Sequence, residues 1–433
     1  MRKMTSDKTC GEHALGTALG ITLLTLVLLA GSAGAVPVVE WNKTFGGKHM
    51  VEAYSVQQTQ DGGYILAGDT DSYGAGGAWL IKTDAKGNEQ WNKTFGKAYL
   101  DDASSVNQTL DGGYILAGST SSQGSGNRDA WLIKTDAQGN KQWDKTFGGL
   151  KNDNAYSGQQ TPDGGYILAG ETSLYGAGDS FAWLIKTDAT GNEQWNRTFG
   201  GTWRDIAYSV QLTIDGGYIL AGTTLSNISS DSTAWLLKTD AKGNEQWNKR
   251  FKGIGYRASS AQQTIDGGYI LAGSAFNRLS DALLIKTDAN GNEQWNKTFG
   301  GVDDAALLDD ESMSVQQTTD AGFIMTGYTV DERQVRVDAW LIKTDANGNK
   351  RWNKTFGKNY ERAYSVQQTK DGGYILAGTN NLPHAWLIKV SKEQEEAIAG
   401  TTEKVAGFYV VLAIAAFSVV CILVRGIKNS TAS

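Results

Sequence analysis

Asp61-Gly-Gly-Tyr-Ile-Leu-Ala-Gly68 returns in close copies from Asp111, Asp163, Asp215, Asp266, Asp320 and Asp371. A self-similar unit repeating about every 50 residues overrides the expectation of two or three ordinary domains and makes one repeat array. Residues 102–149 show the unit in full. It reads Ala103 to Thr109, a turn at Asp111-Gly-Gly113, Tyr114-Ile-Leu-Ala-Gly118, a variable stretch, Ala130-Trp-Leu-Ile-Lys-Thr135, a turn through Asp136 to Asn140, and Gln142-Trp-Asp-Lys-Thr-Phe147. Tyr-Ile-Leu-Ala-Gly and Ala-Trp-Leu-Ile are apolar on both alternating faces, as suits strands covered on two sides. Asp-Gly-Gly tolerates positive φ between the first two strands, and Asp-Ala-x-Gly-Asn reads as a type I turn closed by a left-handed Gly between the last two. Four antiparallel strands per unit, repeated around a ring, predict an all-β chain folded as a β-propeller.

Three tallies predict seven blades: the Asp-Gly-Gly turn, the Ala-Trp-Leu-Ile-Lys strand (degenerate at Ala282-Leu-Leu-Ile-Lys286), and the Trp-Asn-Lys-Thr-Phe strand, whose Trp stands at 41, 91, 143, 195, 247, 295 and 352. The array opens with a lone fourth strand, Trp41 to Phe45, and its last unit stops at Lys389 without one. The N-terminal strand is therefore expected to complete the last blade and hide both sheet edges.

The hairpin Leu80-Ile-Lys-Thr-Asp-Ala-Lys-Gly-Asn-Glu-Gln-Trp91 resembles that of quinoprotein-type propeller repeats. The whole unit resembles repeats of uncharacterised archaeal and bacterial surface proteins over nearly all of residues 41–389. It differs from kelch, where the double glycine follows the apolar strand, and it lacks the Gly-His and Trp-Asp signature. The resemblance implies a fold and a location at the cell surface, since such folds serve unrelated functions.

Both ends add expectations. Residues 1–35 have the layout of a signal peptide, with Arg2, Lys3 and Lys8, an apolar run from Ile21 to Ala30, and small residues ending at Ala35. The propeller is expected over residues 36–389 and a linker over 390–404. Residues 405–424 are an apolar stretch of membrane-spanning length, followed by a tail at 425–433 with Arg425 and Lys428. Positive charge retained inside places the tail in the cytoplasm and the propeller outside a single-pass cell membrane. Of the two cysteines, Cys10 lies in the leader and Cys421 in the apolar stretch, so no disulfide is expected in the exported part. Net charge of −6 with interspersed signs argues against nucleic acid as a partner.

Chain direction puts both tight turns of each unit at one end of the sheet. The variable loops and the links between units lie at the other, and binding residues are expected there. That variable face is assigned Tyr73, Tyr99, Tyr175, Phe181, Trp203, Tyr256, Phe276 and Tyr360. Of these, Tyr73, Tyr99, Tyr175, Trp203, Tyr256 and Tyr360 are the candidate ligand-binding residues, as aromatics suited to stacking on sugars or anchoring a protein. Capping the apolar seams between blades is the other role open to each. Glycosylation sequons stand at Asn42, Asn92, Asn196, Asn227, Asn296 and Asn353; on the fourth strand their Asn and Thr share the face opposite Trp and Phe.

Catalytic residues are not assigned. His49 and His384 map to variable-face loops beside the ring closure. Asp303, Asp304, Asp309, Asp310 and Glu311 form the densest acidic cluster, equally accounted for by one solvated loop. Turns such as Asp288 to Asn292 lack the further ligands of a calcium loop, so neither metal nor cofactor is expected. The reading is a surface propeller that binds envelope polysaccharide or a protein through its variable face. The alternatives are an extracellular enzyme with a site in the funnel, and a passive structural element of the envelope.

Overall fold

The computed structural model describes residues 36–46, 50–71, 76–97, 100–173, 180–201, 204–225, 232–253, 255–277, 279–300, 308–331, 337–357, 360–380 and 384–393. The leader and the apolar stretch at 405–424 lie outside them. Among the described residues there is no helix, and 28 strands form seven antiparallel sheets of four. In blade 2 these are Asp102–Gln108, Tyr114–Thr120, Asp129–Thr135 and Lys141–Phe147, running from the axis outward. The chain is a seven-bladed β-propeller.

Closure follows the expected offset. Val39–Phe45 pairs with Ala385–Val390, with Thr44 opposite Trp386 and Lys43 opposite Leu387. The last strand runs through Val390, one residue beyond the boundary read from the sequence.

Strands apolar on both faces produce seams between sheets. Between blades 1 and 2, Ile65, Ala67, Ala78 and Leu80 meet Tyr114, Leu116, Trp131 and Ile133, all buried. Similar clusters fill the other six seams. Each fully buried large aliphatic contributes about 1.5–3 kcal/mol, which accounts for a stable ring without cross-links. The outer Trp of each blade packs against the next blade's Tyr, or Phe323 in one case, as in Trp91 with Tyr114 at 5.9 Å and 60°. On the outermost strands Asn42, Asn92, Asn196 and Asn296 are exposed and Asn353 is half-buried; Asn227 lies outside the described residues.

The tight turns hold an ion pair between a buried lysine and an exposed aspartate that inspection of the sequence missed. Lys82 ends an apolar strand and is 3% exposed, yet its Nζ donates to Asp61 Oδ2 at 2.8 Å, the Thr83 carbonyl at 2.8 Å and Gln90 Oε1 at 3.1 Å. The second glycine of Asp-Gly-Gly makes room: a Cβ on Gly63 would lie 2.1 Å from the Thr83 carbonyl oxygen and 2.6 Å from Lys82 Nζ. All seven blades repeat the pair, from Lys134 with Asp111 to Lys389 with Asp371, at 2.8–2.9 Å.

The innermost strands are tied into a ring by side chains. Ser55 Oγ accepts from the Val106 amide of the next blade at 3.2 Å, and the equivalent serine makes this bond at every seam. One register further, Gln57 Oε1 accepts from the Gln108 amide at 2.6 Å. At the turns, Gln108 Oε1 accepts from the Gln60 amide of the preceding blade at 2.9 Å.

Candidate functional site

Each innermost strand carries a bulge near its start. In blade 1 the pairing passes from Ala53 opposite Gly68 to Ser55 opposite Ala67, leaving Tyr54 unpaired. Glycine follows Tyr-Ile-Leu-Ala in the strand for this reason, since a Cβ on Gly68 would stand 1.7 Å from the Glu52 carbonyl oxygen. The bulge turns one side chain per blade toward its neighbours at the variable end of the channel. Four are tyrosines that meet in pairs: Tyr54 with Tyr364 at 5.4 Å, and Tyr156 with Tyr208 at 5.3 Å.

Charged groups surround both pairs. Tyr54 donates to Glu52 at 3.0 Å, beside Asp69. Burial, followed by repulsion from Glu52, pushes the Asp69 carboxyl up to about 6, and its Oδ1 is buried without a hydrogen-bond partner. Burial and the charges of Asp69 and Glu52 drive the Tyr54 phenol far above its usual range. Across the channel, Glu171 accepts from Tyr156 at 2.7 Å, Ser180 at 2.9 Å and Arg204 Nη2 at 3.2 Å. Burial works to raise Glu171, but the bonds from Arg204 and Tyr156 outweigh it and hold the carboxyl below its ordinary value.

Between blades 5, 6 and 7 the rim opens into a cavity of about 250 Å³ lined by Ser280, Glu311, Tyr328, Val337, Tyr360 and Arg362. Arg362 stacks over the Tyr328 ring at 4.9 Å, and its buried Nε has no hydrogen-bond partner. Tyr328 donates to Glu311 at 2.7 Å.

Of the six aromatics read as ligand-binding, the described residues include Tyr256 and Tyr360; Tyr73, Tyr99, Tyr175 and Trp203 lie outside them. Tyr360 is 46% exposed and lines the cavity. Tyr256 is half-buried against the seam between blades 4 and 5, lying over Gly253, so its packing is that of a seam cap. Phe276 is exposed, and Phe181 is half-buried. The acidic stretch is not one solvated loop: Asp309 to Glu311 belong to the strand Leu308–Gln317, where Asp310 is buried and Glu311 pairs with Tyr328, while Asp303 and Asp304 lie outside the described residues. His49 also lies outside, and the His384 amide donates to Asn380 Oδ1 at 3.2 Å.

Sequence reasoning missed the channel tyrosines. Their signal was the small or aromatic residue alternating before Ser-Val-Gln-Gln, but its direction depends on the bulge. The channel itself is lined by Ser55, Gln57, Asn107, Gln211, Gln262 and Gln367, among others, around about 200 Å³. Among the described residues no group of three or more His, Cys, Asp or Glu side chains could hold a metal ion.

No family model matches the chain, and no curated protein does either. Several solved structures align with the chain at low identity. A protein of unknown function from Dyadobacter fermentans aligns at 12% identity and a TM-score of 0.48, over 83% of this chain and 98% of its own. Sqt1 from Chaetomium thermophilum aligns at 10% identity and 0.45, over 83% and 100%. The same protein bound to the N-terminus of the ribosomal protein L10 aligns at 9% and 0.46, over 81% and 98%. The propeller assignment rests on this chain's own strand order.

Proposed function

We propose that the chain is a membrane-anchored, cell-surface propeller that recognises an envelope polysaccharide or a surface protein through the variable end of its channel. The observation that carries this reading is Arg362, a guanidinium stacked on an aromatic ring with a buried, unpartnered Nε, lining a cavity beside the exposed Tyr360. A planar donor beside aromatic faces suits a carbonyl or carboxylate on a sugar or an anchoring side chain. At about 250 Å³ the cavity is smaller than the ~300–1,000 Å³ of pockets that engulf small molecules, favouring one anchoring group of a larger partner.

Residues 36–393 are tested by pull-down from isolated envelope and a polysaccharide panel, alongside Arg362→Met with Tyr360→Ala. The reading expects a component retained by the parent and lost by the variant at unchanged melting temperature. Equal retention by both removes it. The enzyme reading draws on Asp69 beside Glu52, since burial and the neighbouring Glu52 charge raise the Asp69 carboxyl as a general acid would need. It predicts polysaccharide cleavage that Asp69→Asn abolishes.

A further inference from the structure

We propose that the tight-turn face of the propeller lies against the lipid surface of the membrane that anchors it, inserting an arc of apolar turn tips. This rests on the anchored reading above and concerns the face opposite the recognition site.

The three most exposed large apolar side chains among the described residues are Ile214 and Ile265, each at 87%, and Leu110 at 81%. All occupy one structural position, the tip residue before Asp in the Asp-Gly-Gly turn. Pro162, also exposed, holds that position between them. The arc thus spans four consecutive blades, while the other three place Gln60, Thr319 and Lys370 there. Folding does not call for these side chains: the turn uses the tip's amide, which donates to Gln263 from Ile214 and to Gln317 from Ile265 at 2.9 and 2.8 Å. Tips facing water are ordinarily polar. A depression of about 490 Å³ opens at one end of the arc, where blades 4, 5 and 6 meet, bordered by Leu212, Ile214, Ile265 and Ala321.

Both ends of the propeller emerge on this face. The Ser391 amide donates to the Val38 carbonyl at 2.9 Å, and the Val38 amide donates to Ser391 Oγ at 3.0 Å. From Glu393 the chain has 12 residues to reach the apolar stretch beginning at Val405, at most ~40 Å when fully extended. That length bounds the tether between this face and the apolar stretch. A second copy stacked here would have to make way for the emerging chains, whereas a bilayer receives them.

Charge does not supply the attraction. Asp61 and its equivalents are paired with lysines, while Asp84 and its equivalents are bonded to neutral asparagines and keep their negative charge, which gives an anionic surface nothing to attract. Insertion of apolar tips is then the driving force, and docking should need no anionic lipid and should survive high salt.

The test uses the full chain in zwitterionic nanodiscs with Cys10→Ser and Cys421→Ser. An environment-sensitive fluorophore is placed at Ile214→Cys, at Ile265→Cys or, on the opposite face, at Gln123→Cys, and quenched by brominated lipid. Docking predicts quenching at 214 and 265 several-fold above that at 123, surviving high salt. It also predicts a several-fold loss of quenching at 214 when Leu110→Asp and Ile265→Asp are added. Equal quenching at 214 and 123 in a chain that resists carbonate extraction overturns the docked face and leaves the anchor standing. Concentration-dependent shielding of 214 in lipid-free detergent assigns the face to a second copy instead. Release by carbonate removes the anchor and the docked face together.

Discussion

Pro162 and Leu212 occupy, at the seam between blades 3 and 4, the two positions that the other six seams fill with an amide donor and a glutamine acceptor. Gln60, Leu110, Ile214, Ile265, Thr319 and Lys370 each donate a turn amide to the next blade's Gln, at 2.8–2.9 Å. Proline has no amide to donate, and its partner position has lost the acceptor. Removing both members spares an unsatisfied group; removing one would not. A double-mutant cycle of Pro162→Gln and Leu212→Gln should give a favourable coupling of about 0.5–1.5 kcal/mol in urea unfolding. Zero coupling would mean that the glutamine ring carries geometry and no energy.

Ala321 is the one non-glycine residue with positive φ among the described residues, at 63°. It stands where the other six turns have glycine, and a left-handed alanine costs about 1–2 kcal/mol, partly offset by a less flexible unfolded chain. Ala321→Gly should stabilise the domain by about 0.5–1 kcal/mol, read from the urea midpoint at constant slope. The reverse change, Gly112→Ala, should destabilise through backbone conformation alone, because an added methyl there meets nothing within 4 Å.

The lysine–aspartate turns predict an acid limb. Burial works to raise Asp61, Asp111, Asp215 and Asp371, but bonds from Lys, Thr and the glycine amide bring each down to about 2. A carboxyl lowered on folding contributes stability at pH above its unfolded value of 3.8, and that contribution is lost as pH falls toward 2. Melting temperature should therefore drop steeply across that window. At neutral pH, Asp111→Asn leaves Lys134 buried with neutral acceptors and should cost about 1–3 kcal/mol, the partner's exposure limiting the loss.

Asp69 predicts the opposite slope at the variable end. Its carboxyl is raised to about 6, so the folded protein holds a proton that the unfolded chain releases near 3.8. Stability from this group is present at low pH and is lost as pH rises toward and through 6. Asp69→Asn should narrow the difference in melting temperature between pH 5 and pH 7 and raise the value at pH 7. An unchanged difference would show that water reaches the carboxylate.

Legibility in the sequence followed periodicity. Tyr-Ile-Leu-Ala-Gly and Ala-Trp-Leu-Ile announce strands covered on both faces, and the displaced strand Trp41 to Phe45 announces how the ring closes. Lys82 gave no such signal, because its partner Asp61 stands 21 residues earlier in what reads as turn chemistry. Tyr54 and Tyr364 were hidden by the bulge, which breaks the two-residue alternation at the position where direction matters. Tyr256 reads equally as a ligand-binding or a seam-capping aromatic, and its place over Gly253, whose missing side chain makes the space, is not written in the repeat. The recognition chemistry is least legible for a related reason: Arg362, Tyr360 and Tyr328 stand where blades differ, and no repeat reports their convergence.

The clasp between Val39–Phe45 and Ala385–Val390 also fixes how the ring yields to force. Val39 lies opposite Val390, so both chain ends leave from the same end of the paired strands. Tension applied through residues 36 and 392 loads those hydrogen bonds one rung after another, as in unzipping, instead of shearing all of them at once. Blade 7 is thus the weak link of the ring under load, and pulling should release its borrowed strand before the six blades built from continuous chain begin to open.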